Sequence, residues 1–82
     1  MSEMTLRIKC FSLVKQETGT SEIIMTVSEG TNSDNFLQQF YRLYPKLMNL
    51  PIRMAVNREY LQETITLKAG DEIALIPPVS GG

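Results

Sequence analysis

An alternating apolar stretch near the C-terminus runs directly into two prolines. Residues 72–76 place Ile73 and Leu75 on one side, which is the pattern of a half-buried strand. Proline has no backbone N–H and holds φ near −65°, so Pro77 and Pro78 cannot continue a sheet ladder. Each also keeps the preceding residue extended. We therefore divide the chain into a folded domain, residues 1–76, and an extended C-terminal tail, residues 77–82.

The tail consists of Pro77, Pro78, Val79, Ser80, Gly81 and Gly82. Its last four residues reach roughly 13 Å when extended at about 3.3 Å each, far enough to cross a narrow tunnel. The two glycines lack a Cβ, so the tip is thin and can approach another backbone closely. The terminal carboxylate of Gly82 is the candidate reactive group, and the other five residues are candidate partner-binding residues. An ordinary frayed chain end is the alternative interpretation.

The side chains offer little chemistry of their own. The chain has 82 residues, no histidine and one cysteine. This excludes His-based acid or base catalysis, a Cys-His nucleophile and the usual zinc sites. We predict no bound metal and no bound cofactor, and we do not expect the chain to be an enzyme by itself. Cys10 is in phase with apolar Leu6 and Ile8, which favours a core position over a reactive thiol.

Charge and hydropathy limit the partners and the compartment. The net charge is −1 and no basic cluster is present, so nucleic acid is not an expected partner. No apolar run approaches the roughly 20 residues of a membrane span, and residues 1–4 lack the features of a signal peptide. We expect a cytoplasmic protein that does not bind membranes.

Two further alternations begin the chain. Residues 4–11 and 22–28 each place every second apolar residue on one side, which predicts two half-buried strands. Residues 12–21 include Gly19 and are expected to form a hairpin connection between them. The two strands are therefore predicted to pair in antiparallel fashion.

One main helix is predicted in the middle of the chain. Thr31 is the expected N-cap, with Asp34 in an acidic variant of the capping box, and the helix should end near Tyr44, before Pro45. The spacing of a buried stripe is shared by Phe36, Phe40, Leu43, Tyr44 and Leu47. We interpret this stripe as packing against a sheet and assign it no ligand.

The second half of the chain is predicted to supply the remaining strands. Residues 48–51 are expected to form a loop, residues 52–57 a third strand, and residues 60–61 a short fourth one. Leu67 should enter the core before a turn at residues 68–71.

This order of elements favours an α+β fold in which one main helix packs on one face of a mixed sheet of four to five strands. With the last strand parallel to the first, it is the β-grasp fold of ubiquitin-like proteins, proposed partly by analogy. The open face would then present Phe11, Ile76 and Arg53 near the exit of the tail. We interpret these three residues as a partner-docking patch, although scattered exposed apolar residues are the equally simple alternative.

The segment from Gly70 to Gly82, with its Pro-Pro-Val-Ser-Gly-Gly ending, resembles the small subunits of molybdopterin synthase, which are ubiquitin-like sulfur carriers. Residues 55–57, Ala-Val-Asn, and the Phe11-Ser12 pair support the resemblance, which covers nearly the whole chain. Ser12 stands where many relatives have alanine, and Lys15 where others have arginine. These two departures leave the details of docking open.

The resemblance implies that a partner enzyme adenylates the carboxylate of Gly82 with ATP and that a sulfur donor converts it to a thiocarboxylate. The tail would then enter the large subunit of the synthase, whose side chains would be the catalytic ones. There it would donate sulfur to a cyclic pyranopterin precursor in molybdenum cofactor biosynthesis. The complex implied is a heterotetramer of two large and two small subunits.

Three rival functions remain open at this point. A thiamin-type sulfur carrier also ends in Gly-Gly, although the double proline resembles the molybdopterin type. A ubiquitin-like protein modifier would link Gly82 to lysines of target proteins. A plain interaction module would have an inert tail.

Overall fold

The computed structural model describes residues 2–77, which form five strands and two α-helices. The strands are β1 (Glu3–Cys10), β2 (Glu22–Ser28), β3 (Arg53–Val56), β4 (Glu59–Tyr60) and β5 (Glu72–Ile76). The helices are α1 (Ser12–Thr18) and α2 (Ser33–Leu43), and a 3₁₀ helix spans Pro45–Asn49. The loop expected at residues 48–51 therefore begins inside a 3₁₀ turn.

The five strands form one mixed sheet in the order β2-β1-β5-β3-β4. The first and last strands of the chain, β1 and β5, are parallel neighbours at its centre, and the other pairs are antiparallel. This is the predicted α+β arrangement of the β-grasp fold, with the sheet at the upper end of the expected strand number. The parallel pairing places the carboxyl ends of β1 and β5 side by side.

The core lies between one face of the sheet and α2. Alternation in β1 buries Met4, Leu6, Ile8 and Cys10, as the sequence predicts. The helix contributes Phe36 and Phe40, both with no exposed surface and with ring centroids 6.3 Å apart. From the second half of the chain, the core receives Leu47, Val56, Leu67, Ile73 and Leu75.

The connection between β1 and β2 differs from the prediction. The two strands pair as expected, from Glu3 opposite Ser28 to Lys9 opposite Glu22, but the connection contains α1 rather than a plain hairpin loop. Val14 is fully buried and anchors this helix to the core. Gly19 ends it with φ at 81°, and its N–H donates to the Lys15 carbonyl at 2.8 Å.

The start of α2 also differs from the prediction. Asn32, not Thr31, is the N-cap, and its side chain accepts a hydrogen bond from the Asn35 N–H at 2.8 Å. Thr31 forms hydrogen bonds outside the helix instead. Its hydroxyl donates to the Ser28 carbonyl at 2.6 Å, and its own carbonyl accepts from the Leu67 N–H. Because Thr31 pairs with Leu67, the helix begins one residue later than predicted.

The buried stripe of α2 is rotated relative to the expected one. Leu43 is 59% exposed, whereas Tyr41 is 8% exposed. At 100° per residue, Leu43 and Tyr41 lie about a quarter turn to opposite sides of Ser33 and Phe40, so the buried face extends further on the side of Tyr41, and Leu43 is the last residue of the helix. The prediction of Leu43 as a core residue was wrong.

Candidate functional site

The candidate site lies where β1 and β5 end together. Cys10 is the register partner of Leu75, so β5 reaches Pro77 beside the beginning of α1. The end of β5 therefore lies at the same end of the sheet as the first connection, where the tail was expected to begin. Pro77 itself is buried, which differs from the expectation of a tail free of the domain from residue 77 onwards. Pro78, Val79, Ser80, Gly81 and Gly82 lie outside the described residues.

The open face of the sheet carries three cations, two of which are paired with carboxylates. Arg7 Nε lies 3.1 Å from Glu22 Oε2, and a hydrogen bond to that carboxylate raises the pKa of Arg7. Lys9 Nζ lies 3.5 Å from Glu72 Oε2. Both pairs lie at the surface, where screening by solvent makes ion pairs weak. They nevertheless balance the charge over β1 and its two neighbours.

Apolar side chains gather at the end of this face nearest to Pro77. Phe11 is extended, with φ at −122° and ψ at 147°, so it continues the outward alternation of β1 and is 46% exposed. Ile76 is half-buried on the same face, and its register partner in β3 is Arg53. The structure therefore places the three residues of the expected docking patch on one face, at one end of the sheet. Their role in docking stays a prediction.

Tyr60 belongs to this surface and was missed from the sequence. Its register partner is Ala55, whose partner in β5 is Ala74, so the three residues share the open face. The Arg53 guanidinium carbon lies 4.0 Å from the centroid of the Tyr60 ring. We refer to Phe11, Ile76, Arg53 and Tyr60 as the exit patch. The alternation of a strand beginning at Glu59 would have indicated Tyr60, but two residues are too few to show a period.

A groove of about 430 Å³ lies beside the exit patch, at the start of α1. It is lined by Lys9, Cys10, Phe11, Ser12, Lys15, Ser21 and Glu22. Ser12 and Lys15, the two departures from the family pattern, are thus both on its wall. Cys10 is 3% exposed, and burial raises the pKa of its thiol, so its predicted core position is confirmed.

Within residues 2–77 no cluster of histidine, cysteine, aspartate and glutamate side chains is arranged to hold a metal ion. In the same part of the chain, none of the helices has the length and apolar character needed to cross a membrane.

A family model described as the ThiS family matches residues 8–82, which include both the exit patch and the last glycine. The chain belongs to the ThiS family. Among its relatives in this family is the molybdopterin synthase sulfur carrier subunit of Chlamydomonas reinhardtii, 31% identical over 96% of this chain and all of the relative. The Dictyostelium discoideum protein of the same name is 35% identical over 93% of this chain and 94% of its own length.

Solved structures share the fold of this ThiS-family chain. SAMP1, a small archaeal modifier protein from Haloferax volcanii, superposes with a TM-score of 0.81 at 25% identity, over 95% of this chain and 99% of that one. A chain of the complex of subunits 1 and 2 of the molybdopterin-converting factor from Helicobacter pylori gives a TM-score of 0.67 at 22% identity. That match covers 96% of this chain and all of the other. The β-grasp fold is therefore established.

Proposed function

We propose that this chain is the sulfur carrier subunit of a molybdopterin synthase. The observation that carries the proposal is the alignment of nearly the whole chain with molybdopterin synthase sulfur carrier subunits, including all of the Chlamydomonas reinhardtii protein. The Pro-Pro-Val-Ser-Gly-Gly ending and the exit patch beside Pro77 support it. In this proposal, Gly82 bears the working group and the folded domain presents it.

The chemistry needs only the terminal carboxylate. A carboxylate resists attack by sulfur, so an activating enzyme first joins it to the AMP portion of ATP and releases pyrophosphate. A sulfur donor then displaces AMP, leaving a thiocarboxylate that is anionic and nucleophilic at neutral pH. The carrier itself supplies no side chain to these steps and binds no cofactor. Since the activation consumes ATP, we propose that it takes place in the cytoplasm.

The large subunit would receive the charged tail and hold the cyclic pyranopterin precursor. Two deliveries would provide the two dithiolene sulfurs, with the general acids and phosphate-binding residues on the large subunit. The Helicobacter pylori complex of subunits 1 and 2 supports such a partner. We propose that the exit patch contacts it, in a heterotetramer of two large and two small subunits.

A second candidate is protein modification, because the fold and a quarter of the residues are shared with SAMP1. A modifier would also be adenylated, but its terminal glycine would then form an amide bond with a lysine of a target. The thiamin-type carrier is a third candidate, which differs only in the acceptor of the sulfur.

The decisive experiment is reconstitution of the full-length chain with a molybdopterin-type activating enzyme, ATP and a sulfur donor, followed by intact mass spectrometry. We expect a mass shift equal to the exchange of one oxygen for one sulfur. We further expect the product to convert the pyranopterin precursor only when the large subunit is added. Covalent adducts with other proteins would favour the modifier, and sulfur transfer to a thiamin-type acceptor alone would favour the third candidate. An unchanged mass would contradict the sulfur carrier proposed here and favour the plain interaction module with an inert tail.

A further inference from the structure

Arg53 is held differently from the other two cations of the open face. Its guanidinium lies 4.0 Å above the Tyr60 ring, and among residues 2–77 no carboxylate lies within ion-pair distance of it. Arg7 and Lys9 each have such a partner. Arg53 is therefore the cation of this face, within the described residues, whose charge is not balanced by a neighbouring carboxylate.

Stacking on an aromatic ring restricts a guanidinium without using up its hydrogen bonds. The ring contacts the flat face of the group, while the N–H donors point outwards in the plane of the group. Those donors match the two oxygens of a carboxylate in a bidentate pair. Because Tyr60 restricts the side chain in advance, less entropy is lost when such a pair forms.

The position of Arg53 indicates which partner could supply the carboxylate. Arg53 is the register partner of Ile76, and Ile76 immediately precedes Pro77. A protein that takes in the tail and docks on the exit patch would therefore also cover Arg53. Covering an unpaired cation is costly, so a matching anion on that protein is expected.

We propose that Tyr60 positions Arg53 to bind a carboxylate side chain of the large subunit when the tail is taken in. This inference rests on the proposed function and adds a charged contact and a positioning residue to it. The apolar members of the exit patch would supply buried area in the interface. Arg53 would fix the orientation of the two subunits and favour the large subunit over other proteins. Charges of complementary sign across an interface act mainly in this way.

The test measures binding of the full-length chain to the large subunit by calorimetry at several salt concentrations. We expect Arg53→Gln to weaken binding roughly tenfold or more and to make it less sensitive to salt. Arg53→Lys should recover only part of the loss, because an ammonium group cannot form the planar fork. The matched control is Arg58→Gln, which removes an exposed arginine from the turn between β3 and β4, at the other end of β3.

Tyr60 is tested through its effect on Arg53. Tyr60→Phe keeps the ring and should bind as the wild type does, whereas Tyr60→Leu should weaken binding and flatten its salt dependence. In the Arg53→Gln background, Tyr60→Leu should leave the salt dependence unchanged, since the charge that it positions is already gone. Independent effects of the two substitutions on the salt dependence would contradict the positioning role.

The outcomes separate this inference from the proposed function. If the wild type binds the large subunit and Arg53→Gln binds it equally well, the inference is overturned and the proposed function stands. If Arg53→Gln impairs only thiocarboxylate formation, the carboxylate belongs to the activating enzyme and the inference is again wrong. If the wild type carries sulfur but does not bind the large subunit, the synthase assignment itself fails.

Discussion

Phe11 is the residue whose position most directly links the fold to docking. It follows the last residue of β1, remains extended and is 46% exposed beside the end of β5. A large aromatic ring exposed at the edge of a core is a typical anchor of a protein interface. Its outward direction follows from alternation alone, which is why the sequence was sufficient to select it.

Replacement of Phe11 by glutamate should weaken binding to the large subunit by tenfold or more, equivalent to at least about 1.4 kcal/mol. The substitution removes an apolar anchor and introduces a charge that docking would desolvate. The matched control is Leu43→Glu, the same kind of change at a 59% exposed residue of α2, away from the open face. Circular dichroism should show both variants folded. Equal binding by the Phe11 and Leu43 variants would contradict the docking role of the exit patch.

Cys10 shows how burial decides the behaviour of a reactive side chain. Its thiol is 3% exposed, and burial raises its pKa above the value in the unfolded chain. Below the unfolded pKa, near pH 8.5, both states are protonated and stability is unaffected. As the pH rises further, the unfolded state releases its proton first, so the free energy of unfolding must fall.

The wild type should therefore lose more stability between pH 8 and pH 10 than Cys10→Ala does. Urea denaturation of the two proteins at both pH values measures this difference. Tyr41, whose pKa burial also raises, is present in both proteins, and its contribution cancels. Parallel losses in the two proteins would show that the Cys10 thiol ionises equally in the folded and unfolded states.

Among the elements, the long strands were predictable and the short segments were not. The alternation of β1, β2 and β5 is strict enough to give their faces and nearly their bounds. In contrast, α1 buries one fully enclosed residue, Val14, so seven residues show no helical period. The residues on either side of the N-cap of α2, Thr31 and Ser33, form hydrogen bonds with Leu67 and Ile65, which no local pattern reveals. Tyr60 was missed for the same reason, because the length of β4 and its pairing depend on β3.

The helix α1 offers a direct test of the element that was missed. Gly19 ends it at a φ of 81°, and an added Cβ would meet nothing within 4 Å. Gly19→Ala should therefore destabilise the protein through backbone conformation alone, by about 1 kcal/mol. Gly19→Asn should cost less, because asparagine tolerates the left-handed region. Urea denaturation measures both, and an alanine variant as stable as the wild type would mean that α1 does not end at Gly19.

At the scale of the whole molecule, the fold separates stability from the proposed chemistry. The residues of the buried core run from Met4 to Leu75, and the parallel pairing of β1 with β5 completes the sheet immediately before Pro77. The reactive group is proposed to be seven residues beyond Leu75, at Gly82. A carrier of this design can therefore lose its function without losing its fold.

Deletion of Gly81 and Gly82 tests that separation. Because the core of the described residues ends at Leu75 and both glycines are assigned to the tail, the free energy of unfolding should change by less than about 0.5 kcal/mol. Thiocarboxylate formation and sulfur transfer should both be abolished, since the activating enzyme would no longer find the terminal glycine.

The reciprocal control is Leu75→Ala, which leaves a cavity at a fully buried site and lowers the free energy of unfolding by about 2–5 kcal/mol but keeps the tail intact. At a temperature where that variant is still folded, it should accept sulfur. A truncated chain that unfolds readily would show that the last residues belong to the folded domain and would overturn its division from the tail.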